Sequence, residues 1–202
     1  MHCLRISELE KLASALVRGT TRELYLTPKP GLVDRADSGS HPDLSLPIME
    51  QSIGYVADYL DEIVVSLKRE EPFQNQKEIA IRAEQRLYDN LGTNTHKGYI
   101  FLSGMLLIAR WHAPSGEEGE LRKTLSSISE SFFRTGEAQN TNGQQARRRY
   151  NTGGIVREAI DGYPTLFEEA LPAFRMARLQ GRCEATASFA MTLAFQERVN
   201  MF

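Results

Sequence analysis

Hydrophobic residues recur along most of the chain with the spacing of helices that bury one face. From Pro47 onward they are separated by four, three, four, three and four residues, which places one stripe on a single side of a helix. The members of this stripe are Met49, Ile53, Val56, Leu60, Ile63 and Leu67. We interpret them as core-packing residues of a long amphipathic helix.

The same periodicity predicts helices along the rest of the chain. The first is predicted to begin at a capping box formed by Ser7 and Glu10 and to end near Tyr25. A helix from Thr95 to about residue 108 is apolar nearly all round, which is typical of the centre of a bundle. The other predicted helices cover residues 79–87, 121–132, 144–150, 155–161, 165–179 and 184–198, with a kink expected at Pro172.

No strand alternation, internal repeat or low-complexity tract is apparent in the sequence. Residues 74–76 and 114–119 are predicted to be exposed loops. We therefore predict an all-α fold: one domain over residues 1–202, a multi-helix bundle with its active site at helix ends and in connecting loops.

Composition excludes several classes of protein. With 202 residues, 41% of them hydrophobic, the chain can bury one sizeable core, and a net charge of −2 gives no strong field for nucleic acid. The two cysteines, Cys3 and Cys183, form no metal-spaced pair and are expected to be reduced thiols. The most apolar run, residues 98–111, is shorter than the ~20 residues that span a bilayer. We expect a cytoplasmic protein with no membrane or nucleic-acid partner.

Residues 26–41, LTPKPGLVDRADSGSH, are dense in groups that bind anions. Pro28 and Pro30 stiffen the backbone around Lys29, which lowers the entropy lost when the lysine holds an anion, and Gly31 permits close approach of a ligand.

Carboxylates follow directly after this lysine. Asp34, Asp37 and Asp43, with His41 between the last two, suggest a Mg²⁺ site that works with a phosphate chain. The alternative is a polar loop in which the aspartates cap turns.

Residues 92–101, GTNTHKGYIF, form the second polar break. Thr93 or Asn94 can cap the central helix, whose free N–H groups attract phosphate, and Lys97 adds a point charge. His96 can be a ligand, an acid or a structural hydrogen-bond donor. The spacing of a Walker A loop is absent.

The third stretch is residues 144–165, QQARRRYNTGGIVREAIDGYPT. Its run of three arginines, which includes Arg149, can clamp phosphates or form a solvated face. Glycines flank a short helix that carries Glu158, which can be a metal ligand, a general base or a surface carboxylate.

Together, the three stretches resemble the triphosphoribosyl-dephospho-CoA synthase family. TPKPGLVDRADSGSHPDL resembles the family's TPKPGLVD, GAH and Asp-Met pattern, with Ser40 for alanine and Leu44 for methionine. GTNTHKGYIF fits the family's G-x-NTHKG-x-IF throughout, and GGIVREAIDGYP fits a looser pattern.

The resemblance implies an all-α enzyme that uses ATP, Mg²⁺ and 3′-dephospho-CoA. The 2′-hydroxyl of dephospho-CoA attacks C1 of the ATP ribose, adenine leaves, and the product is the prosthetic-group precursor of citrate lyase or malonate decarboxylase acyl carrier protein. The candidate residues are, for catalysis, His41, Asp43, His96 (as acid) and Glu158; for ATP or phosphate, Lys29, Gly31, Asn94, Thr95, Lys97, Gly98 and Arg149; and for metal, Asp34, Asp43 and Glu158.

Two departures from the family pattern leave alternatives open. Val156 stands where the family has an arginine, with Arg157 one place later, and family members usually continue past Phe202 with an Asp-Thr-Asn segment and an Arg-Gly-Gly turn. Besides a competent transferase, we therefore consider a catalytically impaired or partner-dependent nucleotide-binding protein, as a homo-oligomer or with a chain that supplies this segment. A different enzyme on the same scaffold is the third hypothesis.

Overall fold

The computed structural model describes residues 2–29, 31–93, 95–135 and 154–200, and all regular structure in these ranges is helical, which confirms the all-α prediction. The elements are α1 (His2–Leu24), α2 (Leu46–Lys68), α3 (Phe73–Leu91), α4 (Lys97–His112), α5 (Glu118–Thr135), α6 (Gly154–Ile160), a π-helical segment (Thr165–Ala170), α7 (Leu171–Leu179) and α8 (Glu184–Asn200). None of the described helices is both long and apolar enough to cross a membrane.

The chain divides into two compact units, Met1–Gly116 and Glu117–Phe202. The prediction of one domain over residues 1–202 stays a prediction, and each unit is described by itself. The predicted helix at residues 144–150 lies outside the described residues.

In the first unit, α2 contacts α1, α3 and α4, and α4 also contacts α1 and α3. The predicted stripe forms the buried face of α2, since Ile53, Val56, Leu60, Ile63 and Leu67 are all buried and only Met49 is half-buried. Apolar burial of this kind stabilises a helix more than its intrinsic propensity does.

The helices α2 and α4 approach closely at Gly104. A Cβ on this glycine would lie 1.9 Å from the Tyr59 hydroxyl, which donates a hydrogen bond to the carbonyl of Ile100 over 3.0 Å. The predicted central helix is thus confirmed as a buried element, and its position on α2 is fixed by a residue without a side chain.

Three predicted local features are wrong. The helix α1 begins at His2 instead of at Ser7, because half-buried Ile6 continues its packed face before the predicted start. Thr93 is not the N-cap residue of α4: that position is His96, whose side chain makes no capping hydrogen bond, and Asn94, the other predicted cap, lies outside the described residues. Residues 74–76 belong to α3, where the buried amide of Gln76 donates to Ser66 Oγ over 2.9 Å.

In the second unit, α5 packs on α6, and α8 packs on α7 and on the π-helical segment. The interruption predicted at Pro172 takes the form of a change of helix type: π-helical hydrogen bonding ends at Ala170, and an α-helix with Pro172 in its first turn follows. Since proline lacks an N–H group, it fits the first turn, where that donor has no helical partner.

Candidate functional site

The carboxylate of Asp34 organises the loop between α1 and α2. The side chain is buried; its Oδ2 accepts the backbone N–H of Lys29 over 2.8 Å, and its Oδ1 accepts those of Ala36 and Asp37 over 2.6 and 3.2 Å. The hydrogen bonds from Ala36 and Lys29 lower the pKa of Asp34 from its ordinary value. These contacts favour the loop-capping alternative for Asp34 over the predicted metal ligand.

Lys29, a predicted phosphate ligand, is buried and already paired. Its Nζ lies 2.7 Å from Glu23 Oε1, with the lysine side chain 2% and the glutamate side chain 46% exposed. A buried ammonium with an ordered carboxylate partner is costly to detach. The geometry therefore favours a role in anchoring the loop to the end of α1.

Two glycines let this loop fold back on itself. The N–H of Ser40 donates to the carbonyl of Gly31 over 3.2 Å, and a Cβ on Gly39 would lie 2.4 Å from the carbonyl carbon of Gly31. Both glycines have positive φ, +80° and +56°. The glycine predicted to admit a ligand thus also serves close backbone packing within the loop.

The first loop and the second polar motif both contact the beginning of α2. Val33 of the loop belongs to a buried cluster with Leu24 and Ile53, against which Met49 of α2 packs. Thr95 Oγ1, from the second motif, donates to Met49 Sδ over 2.9 Å. The two predicted motifs are therefore brought together at the first two turns of α2.

His96 is the second link between the motif and α2. Its Nδ1 lies 2.7 Å from Ser52 Oγ, and its ring packs edge-on against Tyr99 with the centroids 6.1 Å apart. Burial lowers the pKa of His96 to about 4, so the imidazole is neutral near pH 7. A neutral, buried imidazole is a poor proton donor, and the geometry favours a hydrogen-bonding role over the predicted acid role.

Lys97 lies at the start of α4 and is accessible. Its Nζ is 2.9 Å from Glu84 Oε2 on α3, and the lysine side chain is 48% exposed. An ion pair this exposed contributes little stability and can exchange its partner. Gly98 follows in the first turn and is half-buried, whereas Asn94 lies outside the described residues.

His41 and Asp43 remain available to a ligand. His41 is half-buried and Asp43 is exposed, and neither side chain bonds to a residue that the structure describes. Their backbone is held by turns, in which His41 N–H donates to the Ser38 carbonyl and Leu44 N–H donates to the His41 carbonyl, each over 3.2 Å.

Glu158 lies in the second unit, where it caps the π-helical segment. Its Oε1 accepts the N–H of Thr165 and its Oε2 accepts the Thr165 hydroxyl, each over 2.8 Å. The intervening turn contains buried Tyr163 at φ +59° and Gly162, whose Cβ would lie 2.9 Å from the Arg122 carbonyl. The geometry thus favours a structural role over metal binding or base catalysis. Arg149 lies outside the described residues.

Within the described ranges, no group of three or more His, Cys, Asp or Glu side chains lies close enough together to hold a metal ion. Mg²⁺ is commonly held by one or two carboxylates together with phosphate oxygens. A Mg²⁺ site that shares the ion with a phosphate chain stays a prediction.

Three residues that sequence reasoning did not single out complete the contacts of the two motifs in the first unit: Glu23, Ser52 and Glu84. Each belongs to an ordinary helical stretch, and each meets its partner through tertiary packing. No local motif marks them.

Comparison with known proteins gives one family and several named relatives. The model of a family described as ATP:dephospho-CoA triphosphoribosyl transferase matches residues 9–200. A 2-(5''-triphosphoribosyl)-3'-dephosphocoenzyme-A synthase of Pectobacterium atrosepticum is 31% identical over 88% of this chain and 63% of its own length. A Pseudomonas putida protein with the same name, preceded by the word "Probable", is 31% identical over 94% of this chain and 70% of its own length. No solved structure gives a significant match.

Proposed function

The chain belongs to the ATP:dephospho-CoA triphosphoribosyl transferase family, and from this membership we propose that it transfers the triphosphoribosyl group of ATP to the 2′-hydroxyl of 3′-dephospho-CoA. The chain spans 70% of the length of one of these relatives and 63% of the other. Its substrates are proposed from the name of the family.

The observation that carries the proposal is the meeting of the two family-like motifs at α2. Val33, next to the carboxylate that organises the first loop, packs in the cluster that Met49 covers, and Thr95 of the second motif donates to the same methionine over 2.9 Å. This meeting of segments from distant parts of the sequence supports placing both motifs at one binding site at helix ends.

We assign the triphosphate to Lys97 and to the start of α4. The lysine is half-exposed, and the side chain of the N-cap residue His96 makes no capping hydrogen bond, so it leaves the first N–H groups of the helix to an anion. Thr95, Gly98 and Asn94 belong to the same segment of the family motif. Lys29 and Asp34 support this site by holding the shape of the first loop.

Mg²⁺ fits the proposed site through Asp43. This carboxylate is exposed and unbonded in the described structure, whereas the oxygens of Asp34 and Glu158 already accept hydrogen bonds. When bound, the ion would neutralise charge on the triphosphate.

The proposed reaction forms one bond and breaks another. The 2′-oxygen of dephospho-CoA bonds to C1 of the ATP ribose, and the bond from C1 to N9 of adenine breaks with its electron pair remaining on the base. The proton of the hydroxyl ends on the released adenine, and the triphosphate stays on the sugar. His41 and Asp43 are the candidate bases, because their side chains have no described partner.

Chromatography of released adenine, with mass spectrometry of the product, tests the proposal. With Mg²⁺, ATP and dephospho-CoA, we expect adenine and a product whose mass is the sum of the two substrates minus adenine. Omitting dephospho-CoA should reduce adenine to background. ATP binding without adenine release in the complete mixture would overturn the transferase proposal and favour a nucleotide-binding protein.

A further inference from the structure

The hydrogen bonds of Ser52 determine which ring nitrogen of His96 carries the proton. The Oγ of Ser52 lies 2.7 Å from the carbonyl oxygen of Met49 and 2.7 Å from His96 Nδ1. A serine hydroxyl has one hydrogen, and a carbonyl oxygen has none. The Ser52 hydrogen must therefore point to Met49, and the hydrogen between Ser52 and His96 must come from Nδ1.

The opposite assignment would be unfavourable. If Ser52 donated to His96 Nδ1, two oxygen atoms that carry lone pairs would face each other over 2.7 Å with no hydrogen between them. Both the serine and the histidine are buried, so water could not relieve this repulsion. The buried geometry therefore selects the tautomer with hydrogen on Nδ1.

This tautomer leaves a lone pair on Nε2. The neutral ring carries one N–H group, which Ser52 uses, and no described residue bonds to the other nitrogen. His96 is also the N-cap residue of α4, immediately before Lys97. An acceptor nitrogen thus belongs to the residue directly before Lys97, the cation that we assign to the triphosphate.

We propose that Ser52 is a positioning residue of the nucleotide site: it holds His96 with its hydrogen on Nδ1, and His96 Nε2 accepts a hydrogen bond from a hydroxyl or amino group of the bound nucleotide. The proposal rests on the proposed function only in taking ATP as the nucleotide. It replaces the predicted acid role of His96 with that of an acceptor.

Nitrogen-15 NMR of the imidazoles tests the tautomer without any turnover. The His96 signals are identified by their absence in His96→Gln. We expect a protonated Nδ1 and an unprotonated Nε2 in the wild-type protein, and a shift of the Nε2 signal when Mg²⁺-ATP is added. A protonated Nε2, or an Nε2 signal that saturating ATP leaves unchanged, would overturn the proposal.

Calorimetry of ATP binding tests the role of Ser52. We expect Ser52→Ala to mix the two tautomers of His96 and to weaken ATP binding about tenfold, the loss expected for one hydrogen bond. The matched control is Ser66→Ala, which removes another buried hydroxyl of α2, bonded to Glu71 Oε2 and Gln76 Nε2. It should lower Tm but leave ATP affinity unchanged.

Two further ligands distinguish the donor on the nucleotide. If the adenine amino group donates, inosine triphosphate should bind equally to wild-type protein and Ser52→Ala. If the ribose 2′-hydroxyl donates, 2′-deoxy-ATP should bind equally to the wild-type protein and to Ser52→Ala. Ser52→Ala with unaltered ATP affinity and an unaltered tautomer would contradict the positioning role, even if adenine release were observed. Conversely, suppose that His96 has its hydrogen on Nδ1 and that Ser52→Ala binds ATP more weakly, but that no adenine is released. Only the proposed function would then be contradicted.

Discussion

The hydroxyl of Thr95 donates to the sulfur of Met49 over 2.9 Å. This contact joins a segment that precedes α4 to the first turn of α2, 46 residues away in sequence. Because Met49 also packs against the cluster that contains Val33 of the first loop, one side chain of α2 links the second motif to the cluster that holds the first. The beginning of α2 is therefore the structural centre of the proposed site.

Lys97 gives the most direct prediction about phosphate binding. We expect Lys97→Ala to weaken ATP binding by about 10- to 100-fold, because a charge-assisted hydrogen bond contributes roughly 1.5–3 kcal/mol. Calorimetry measures the effect. Glu84→Gln should strengthen ATP binding slightly, since it removes the carboxylate 2.9 Å from Nζ. The control Lys11→Ala removes an exposed cation of α1; equal losses in both lysine variants would show a general charge effect and no phosphate contact.

The contacts of Glu158 predict a structural effect. Glu158→Ala and Thr165→Val should each reduce the free energy of unfolding by about 1–2 kcal/mol, as the loss of a helix cap does. Glu158→Ala removes both hydrogen bonds, and Thr165→Val removes only the one from the hydroxyl to Oε2. Because the two variants share that bond, the double variant should lose less than the sum of the two. Urea unfolding of the two single variants and the double variant measures these free energies. A fall of 100-fold or more in the rate of adenine release for Glu158→Gln, at unchanged stability, would instead support the predicted base role.

Gly39 and Gly19 form a matched pair for backbone effects. Gly39→Ala should destabilise the protein by more than about 1 kcal/mol, because its Cβ would lie 2.4 Å from the Gly31 backbone at a φ of +56°. Gly19→Ala should stabilise it by roughly 0.5–1 kcal/mol, because a Cβ there meets no atom within 4 Å in α1. Denaturant unfolding of both variants checks the signs, and a Gly39→Ala protein as stable as the wild type would refute the proposed close packing of the loop.

His96 predicts how stability varies with pH. Its pKa is lowered in the folded state from 6.5 to about 4, so between these values the unfolded chain binds a proton that the folded protein does not. The contribution of His96 to the free energy of unfolding is fully present above pH 6.5 and is lost as the pH decreases toward 4. The fall amounts to about 3 kcal/mol at roughly 1.4 kcal/mol per pH unit.

The comparison protein for this pH effect is His96→Gln, which cannot titrate at this position. The difference in unfolding free energy between it and the wild type should therefore change over pH 4–6.5 and be constant above that range. Parallel curves for the two proteins would show that His96 keeps its ordinary pKa when folded.

Periodicity was sufficient to predict most of the helices, because burial of one face determines both the apolar spacing and the helix. The stripe from Ile53 to Leu67 is buried as predicted. The start of α1 at Ser7 was predicted wrongly, because the capping-box residues can also lie within a helix when apolar residues continue before them. The cap of α4 was missed for a related reason: packing on Ser52 determines where His96 lies.

The site was less predictable than the fold. The sequence indicated the two motifs but could not show that Asp34 is bonded by three backbone N–H groups, or that Lys29 is paired with Glu23. Such contacts depend on how a loop folds onto a helix end, and residue type alone does not specify this. The same applies to Glu158, whose partner Thr165 lies beyond a turn with two residues at positive φ.

Carbon-13 NMR of the methionine methyl groups tests most directly whether both motifs serve one nucleotide site at the start of α2. Addition of Mg²⁺-ATP should shift the Met49 methyl signal, and Lys97→Ala should require more ATP for the same shift, whereas Met105, buried in the middle of α4, should stay unchanged. Saturating ATP that shifts other methionine signals and leaves that of Met49 unaltered would contradict the account, because the nucleotide would then bind elsewhere.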